Sequence, residues 1–143
     1  MKKRVTGLGG IFFKAKDPKA LSDWYDKHLN VSPLPDSPWG EDDDAPLFEW
    51  RDKDDPSQKR YTVFGVFPDD TDYFEPGNGA FMFNFLVDDL DTVLADLEKE
   101  GIKKIGKIHD LPFGRFTRIS DPEGNMIELF EPKKDFFNKG KTD

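Results

Sequence analysis

Alternating apolar and polar residues, interrupted by helical periodicity, divide the chain into two runs of similar elements. The segment LGGIFFKA alternates loosely and is rich in strand formers, with Ile11 and Phe13 facing away from Phe12. The segment KDPKALSDWYDKHLN places its apolar residues on one helical stripe, with Asp17 as a plausible N-cap and Pro18 in the first turn. After this helix we expect a strand fragment and a surface loop in VSPLPDSPWGEDDDAP, then strands in LFEWRD and RYTVFGVFP. The first half is therefore predicted to be β-α-β-β-β.

The same order of elements then begins again. AFMFNFLV predicts a strand, and DDLDTVLADLEKEG predicts a helix that is capped by Asp88 or Asp89 and ends at Gly101. Three further strands are predicted in IKKIGKIH, GRFTRIS and NMIELFEP. IFFKAKDPKALSDWYDKHL aligns without a gap with FNFLVDDLDTVLADLEKEG, and FGVFP aligns with ELFEP. The chain thus reads as two copies of one module.

Short strands joined by turns after each helix imply mostly antiparallel pairing and a helix confined to one face. We therefore predict an α+β fold of two curved sheets, each with a helix outside and an inner face free to enclose a ligand. A length of 143 residues fits one domain. The predicted organisation is a single domain over 1–143, with internal modules at about 6–68 and 79–132 and a C-terminal tail at 133–143. In this tail Phe136 and Phe137 could dock on a partner or on the chain's own surface.

Composition and charge exclude several functions. The chain has no cysteine, so a disulfide framework, a thiolate metal site and a cysteine nucleophile are all impossible. A formal net charge of -8 argues against nucleic acid as a partner, because that binding depends on neutralising phosphates. No segment approaches the roughly 20 apolar residues that span a bilayer, and MKKRVTGLGG lacks the features of a signal peptide. We expect a cytoplasmic protein with no membrane partner, and small molecules, cationic ones included, remain possible ligands.

Two compositional features have alternative interpretations. Fourteen Phe residues against three Tyr indicate either a Phe-rich core or, in part, the wall of an apolar pocket. The acidic loop at 36–44 is either solvated and mobile or an electrostatic collar for a cationic ligand. In the second case Trp39, in the middle of this loop, could act as an aromatic lid.

Three segments together resemble a known family. GLGGIFFKAKDPKALSDWYDKHLNV, FMFNFLVDDLDTVLADLEKEGI and FGRFTRISDPEGNMIELFEP are similar to the glyoxalase, bleomycin resistance and extradiol dioxygenase group, the vicinal oxygen chelate superfamily. DPEGN-x-IEL is the most specific piece. The resemblance implies paired βαβββ modules around a U-shaped cleft and, often, a homodimer. In metal-using members a divalent ion is held there by His, Glu or Gln side chains from the first and fourth strands of the modules.

The ligand positions that the resemblance implies are largely lost in this sequence. Glu128 matches the final ligand, but the other positions fall at Gly10, Phe64 and Met82, none of which binds a hard cation. A catalytic or structural site for such an ion needs about three protein ligands. We therefore expect no metal and no other cofactor.

Strand alternation predicts which side chains share a face with Glu128. The candidate ligand-binding residues are Phe12, Phe64, Met82, Asn84, Phe116, Arg118 and Phe130. Apolar walls with a few polar groups are typical of a small-molecule site. A carboxylate in such a place must be paired, protonated or used. It either forms a structural ion pair with Arg118, or acts as an acceptor or general base while Arg118 clamps a ligand oxygen.

Three functional hypotheses follow. The first is a metal-free protein that binds an apolar or amphipathic small molecule. The second is a lyase, isomerase or dioxygenase-like enzyme that uses Glu128 as base or metal ligand. The third is a sequestration protein that confers resistance to a cationic drug.

Overall fold

The computed structural model describes residues 3–40, 42–77 and 79–138, and its elements follow the predicted order closely. The elements are β1 (Val5–Ala15), α1 (Pro18–Leu29), β2 (Leu47–Arg51), β3 (Lys59–Pro68), β4 (Phe81–Val87), α2 (Leu90–Lys99), β5 (Ile105–Leu111), β6 (Gly114–Ser120), β7 (Met126–Pro132) and the 3₁₀ helix η1 (Phe136–Asn138). Within these described ranges, every helix is too short or too polar to cross a membrane.

The strands form one mixed sheet of seven, in the order β2-β3-β1-β4-β7-β6-β5. β1 runs parallel to β3 and β4 runs parallel to β7, whereas the remaining neighbours are antiparallel. The predicted α+β class is confirmed. The expectation of two separate sheets is wrong, because β1 and β4 pair along their length and join the two halves into a continuous sheet.

The strand fragment predicted between α1 and β2 is also absent from the described residues of 31–46. Four prolines fall in this segment, and each removes a backbone donor that a strand ladder needs. The backbone contact to β2 is a bond of 3.4 Å from the Leu47 N–H to the Ser32 carbonyl. The first half is therefore β-α-β-β.

Both helices begin at an aspartate that accepts a hydrogen bond from the first turn. The Asp17 carboxylate accepts from the Ala20 N–H at 3.0 Å, and the Asp89 carboxylate accepts from the Thr92 N–H at 3.1 Å. Asp89, rather than Asp88, is thus the cap of α2. The two caps are 72 residues apart, which is the offset of the gapless alignment between the two halves.

Residues 136–138 of the C-terminal segment dock on the chain's own surface. Phe136 and Phe137 are buried, and the Phe137 ring lies 5.4 Å from the Tyr61 ring and 6.4 Å from the Phe130 ring. The Asn138 side-chain oxygen accepts from the Lys59 N–H at 2.9 Å. The segment therefore covers the ends of strands from both halves of the sheet.

This packing predicts that Phe137→Ala lowers the free energy of unfolding by about 3 kcal/mol or more, because a buried aromatic side chain leaves a cavity. The measurement is urea denaturation of the full chain. Phe48→Ala is the matched control, since Phe48 is 46% exposed, and it should cost about 1 kcal/mol or less. Equal losses in the two variants would contradict the docking of the C-terminal segment.

Candidate functional site

A cavity of about 360 Å³ lies on the inner face of the sheet. Its apolar wall combines Phe12 and Val63 from the first half with Phe116 and Phe130 from the second. Phe12 and Val63 lie on β1 and β3, and Phe116 and Phe130 lie on β6 and β7, on the two sides of the junction between β1 and β4. The sheet must therefore curve so that these two sides, its two wings, face the same cavity. The remaining apolar lining is Trp39, Leu111 and Phe113, and the polar lining is Asp43, Tyr73, Asn84 and Glu128.

Strand register places the polar end of the cavity in one row across the sheet. Gly10 lies opposite Asn84, Asn84 lies opposite Glu128, and Glu128 lies opposite Arg118. Neighbouring residues in such a row project from the same face. The backbone pairing alone thus brings an amide, a carboxylate and a guanidinium together.

The Glu128 carboxylate is 4% exposed and has partners on both oxygens. Its Oε1 accepts from Asn84 Nδ2 at 2.7 Å, and its Oε2 accepts from the Tyr73 hydroxyl at 2.9 Å. Arg118 Nε lies 3.6 Å from the same Oε2. A buried carboxylate is costly unless it is paired and hydrogen-bonded, and these groups meet both needs.

Tyr73 reaches the site from the segment that connects β3 to β4. Its ring stacks on Phe67 with centroids 5.2 Å apart, and the Arg118 guanidinium lies 4.2 Å from the ring centroid. Burial, followed by the charge of Glu128, raises the pKa of Tyr73 to about 12. The phenol is therefore protonated at neutral pH and donates to Glu128.

The turn that precedes β7 has a structural role. The Asp121 carboxylate accepts from the backbone N–H groups of Glu123 and Asn125 and from Asn125 Nδ2, each at 2.9 Å. The Asn125 bonds, first of all the side-chain one, lower the pKa of Asp121. The turn closes on itself and starts β7 in the register that points Glu128 inward.

The structure brings five of the candidate residues to the cavity wall, and these are Phe12, Asn84, Phe116, Glu128 and Phe130. Arg118 lies beside Glu128 rather than on the wall. Met82 lies elsewhere: it is fully buried in a cluster with Phe74 and Met126.

Phe64 lies on the opposite face of the sheet, so its expected place in the cleft is wrong. Its ring packs 5.0 Å from Tyr25 of α1 and 5.2 Å from Phe13. β1 pairs with β3 through Phe12 and Gly65, just as β4 pairs with β7 through Asn84 and Glu128. The counterpart of Glu128 in the first half is therefore Gly65, and a slip of one residue turns a side chain to the other face.

The Phe12 ring occupies the space that ligand side chains at Gly10 and Gly65 would need. A Cβ atom on Gly65 would lie 2.7 Å from Phe12 Cδ1, and one on Gly10 would lie 2.8 Å from Phe12 Cε1. In the part of the chain that the structure describes, no three His, Cys, Asp or Glu side chains group closely enough to hold a metal ion. The residues present do not fit the divalent ion of the metal-using proteins that this sequence resembles.

Sequence reasoning missed several residues of the site. Tyr73 lies in the polar connection DDTDYFEPGNG, where no periodicity marks its direction. Asp43 was considered only as part of the acidic loop at 36–44, and nothing in the sequence separates it from the neighbouring acids. Leu111 ends β5 and Phe113 lies in the turn between β5 and β6, and their only signal is an apolar pair at the end of a hairpin.

The raised pKa of Tyr73 predicts a specific loss of stability in alkali. The folded protein holds this proton more tightly than the unfolded chain, whose tyrosine titrates near 10.0. The resulting stabilisation is present below pH 10.0 and is lost as the pH rises toward about 12. Between about pH 9 and about pH 11, the free energy of unfolding measured with urea should therefore fall more for the wild type than for Tyr73→Phe.

Tyr25→Phe, the same change on helix α1, is the control for this experiment. It should decline with pH as the wild type does. A wild type and a Tyr73→Phe variant that lose stability in parallel would show that the phenol does not hold its proton in the way the geometry requires.

Comparisons with known proteins agree with this architecture. Among solved structures, methylmalonyl-CoA epimerase of Streptomyces coelicolor in complex with 2-nitronate-propionyl-CoA matches with a TM-score of 0.61 and 14% identity, over 90% of this chain and 99% of that chain. Methylmalonyl-CoA epimerase from Mycobacterium tuberculosis matches with a TM-score of 0.54 and 17% identity, over 92% and 91%. A structure described as NAD-dependent benzaldehyde dehydrogenase from Legionella pneumophila matches with a TM-score of 0.53 and 18% identity, over 87% and 98%. At these identities the likeness concerns the fold.

A search of curated protein sequences gives no significant match. The family model for the Glyoxalase/Bleomycin resistance protein/Dioxygenase superfamily matches residues 7–129, which include both helices and nearly the whole sheet. The chain therefore belongs to the glyoxalase/bleomycin resistance protein/dioxygenase superfamily.

Proposed function

We propose that this protein binds an apolar or amphipathic small molecule, without a metal ion, in the cavity between the two wings of its sheet. The observation that carries the proposal is the Phe12 ring, which covers Gly10 and Gly65 while the cavity beside it stays open. A volume of about 360 Å³ lies within the range of ordinary ligand sites. The fold of the family is thus retained, while an aromatic ring occupies the space that side chains at two of its metal-ligand positions would need.

The apolar walls supply the binding energy in this proposal. The second half of the chain contributes Phe113, Phe116 and Phe130 to the cavity wall, and the loop after α1 contributes Trp39. Apolar surface removed from water contributes about 25 cal/mol per Å², and an aromatic wall offers flat faces for a ring-containing ligand. Binding therefore depends on shape and apolar contact more than on any single bond.

The partners of Glu128 favour an anchoring role over base catalysis. A general base needs a lone pair that faces the proton it removes. Both oxygens of Glu128 already accept a hydrogen bond, and Arg118 lies 3.6 Å from one of them. The carboxylate is therefore better suited to hold Tyr73 and Asn84 in place than to take a proton from a ligand.

A neutral probe tests the binding function directly. We expect 2-(hydroxymethyl)naphthalene to bind with one-to-one stoichiometry, measured by titration calorimetry. Phe116→Ala should weaken this binding about tenfold, since one wall of the cavity is lost.

Phe83→Ala is the matched control for that variant. Phe83 is 39% exposed and lies on a strand that the cavity shares, but it is not part of the cavity lining. The affinity of Phe83→Ala should equal that of the wild type. Equal weakening by the two substitutions, or the absence of binding to the wild type, would overturn the proposed site.

Metal content tests the other half of the proposal. After incubation with Zn²⁺, Mn²⁺, Ni²⁺ or Fe²⁺ and desalting, the protein should retain far less than one equivalent of metal by elemental mass spectrometry. The reason is that one carboxylate beside covered glycines falls short of the three or so ligands that a tight site needs. A stoichiometric ion that is lost in Glu128→Ala would contradict the proposal.

A further inference from the structure

The charged side chains that line the cavity are acidic. Asp43 and Glu128 both line it, whereas no Lys, Arg or His is among the described residues of its wall. Arg118 approaches Glu128 and offsets that charge. Asp43 forms no ion pair with any described residue, so no cationic side chain in the described part of the protein compensates its negative charge.

Asp43 is held in position by its own loop. Its Oδ2 accepts from the Ser37 hydroxyl at 3.0 Å, and its Oδ1 accepts from the Ala45 N–H at 3.4 Å. Trp39, from the same loop, lies on the cavity wall and packs 5.4 Å from the Phe136 ring. Asp42, the preceding residue, is exposed and takes no part in the wall.

Asn84 presents a buried acceptor that has no donor in the described part of the chain. The side chain is 5% exposed, and its Oδ1 has no hydrogen-bond partner among the described residues. The amide orientation is fixed because Nδ2 must donate to the Glu128 carboxylate, and the reverse orientation would place one acceptor against another. Oδ1 consequently lies over Gly9, which also lines the cavity. A buried acceptor without a donor is costly, and a ligand donor would remove that cost.

We propose that the ligand of this cavity is an organic ammonium ion, a protonated amine on an aromatic or alicyclic body. This inference rests on the proposed binding function and assigns its ligand a charge. The amine supplies the cationic partner that Asp43 lacks among the described residues. Its N–H groups could also donate to Asn84 Oδ1, the acceptor without a donor among these residues. Aromatic faces attract cations through their quadrupole, so Trp39 and the Phe walls favour the same class. Carboxylates and phosphates would meet the uncompensated carboxylate of Asp43, with no cationic side chain among the described residues of the wall.

Three probes of one shape and different charge test the assignment. They are 2-(aminomethyl)naphthalene, 2-(hydroxymethyl)naphthalene and 2-naphthoate, titrated at about pH 7, where the amine is protonated and the acid ionised. We expect the amine to bind about tenfold tighter than the alcohol, and the carboxylate to bind weakest. Asp43→Asn should weaken the amine about fivefold to tenfold and leave the alcohol unchanged.

Asp42→Asn is the matched control, because it removes the same charge one residue away from the cavity. It should leave the affinity for all three probes unchanged. In Asp43→Asn the remaining oxygen can accept from the Ala45 N–H and the amide nitrogen can donate to the Ser37 hydroxyl, and an unchanged melting temperature would confirm that the variant is folded.

The outcomes separate the two proposals. Failure of all three probes to bind overturns the proposed function and this inference with it. Binding of the alcohol or the carboxylate as tightly as the amine overturns the charge assignment alone. An equal effect of Asp42→Asn and Asp43→Asn would assign the preference to the acidic surface as a whole, and would overturn the role given to Asp43.

Discussion

The burial of one carboxylate organises the centre of this molecule. Glu128 is 4% exposed, and a charge in that position must be surrounded by donors. Its partners come from separate parts of the chain: Tyr73, from the connection between the halves, and Asn84, from β4, donate hydrogen bonds, and Arg118, from β6, forms an ion pair. A side chain on the last strand therefore fixes the connection, the central strand and the second wing relative to one another. Loss of any of these donors would leave part of the charge uncompensated, so the network constrains the geometry of the cavity floor as well as its stability.

The two modules carry different residue types at equivalent positions beside the cavity. Phe12 and Gly65 in the first half occupy the places of Asn84 and Glu128 in the second, because each pair is matched by the same strand register. At this pair of positions the first half therefore contributes an aromatic ring and a glycine, and the second half contributes an amide and a carboxylate. The duplicated backbone keeps its pairing while the side chains of the two halves differ.

The features that depend on local sequence could be predicted, and those that depend on tertiary contact could not. The helix caps at Asp17 and Asp89 follow from a short side chain before an amphipathic stripe, and the strands of the second half follow from alternation. The predicted position of Phe64 in the cleft was wrong because the alignment of FGVFP with ELFEP ignores the register of β3 on β1. That register is set only by the hydrogen bonds between the strands. Tyr73 was not predicted because its direction is determined by Glu128 and Arg118, which are distant in sequence.

The acidic loop shows the same limit in a form that bears on function. Asp36, Asp42 and Asp44 are exposed, whereas Asp43 is half-buried and lines the cavity, although the four are alike in the sequence. The net charge of -8 describes the surface and has little to say about the site, because exposed charges are screened by salt within about 10 Å. A carboxylate inside an aromatic wall is screened far less, since the surrounding medium is less polar than water. Under the proposed assignment, the preference of the cavity for cations would come from a single inward-facing residue and from the absence of a cation from the described wall. It would then persist at salt concentrations that screen the rest of the loop.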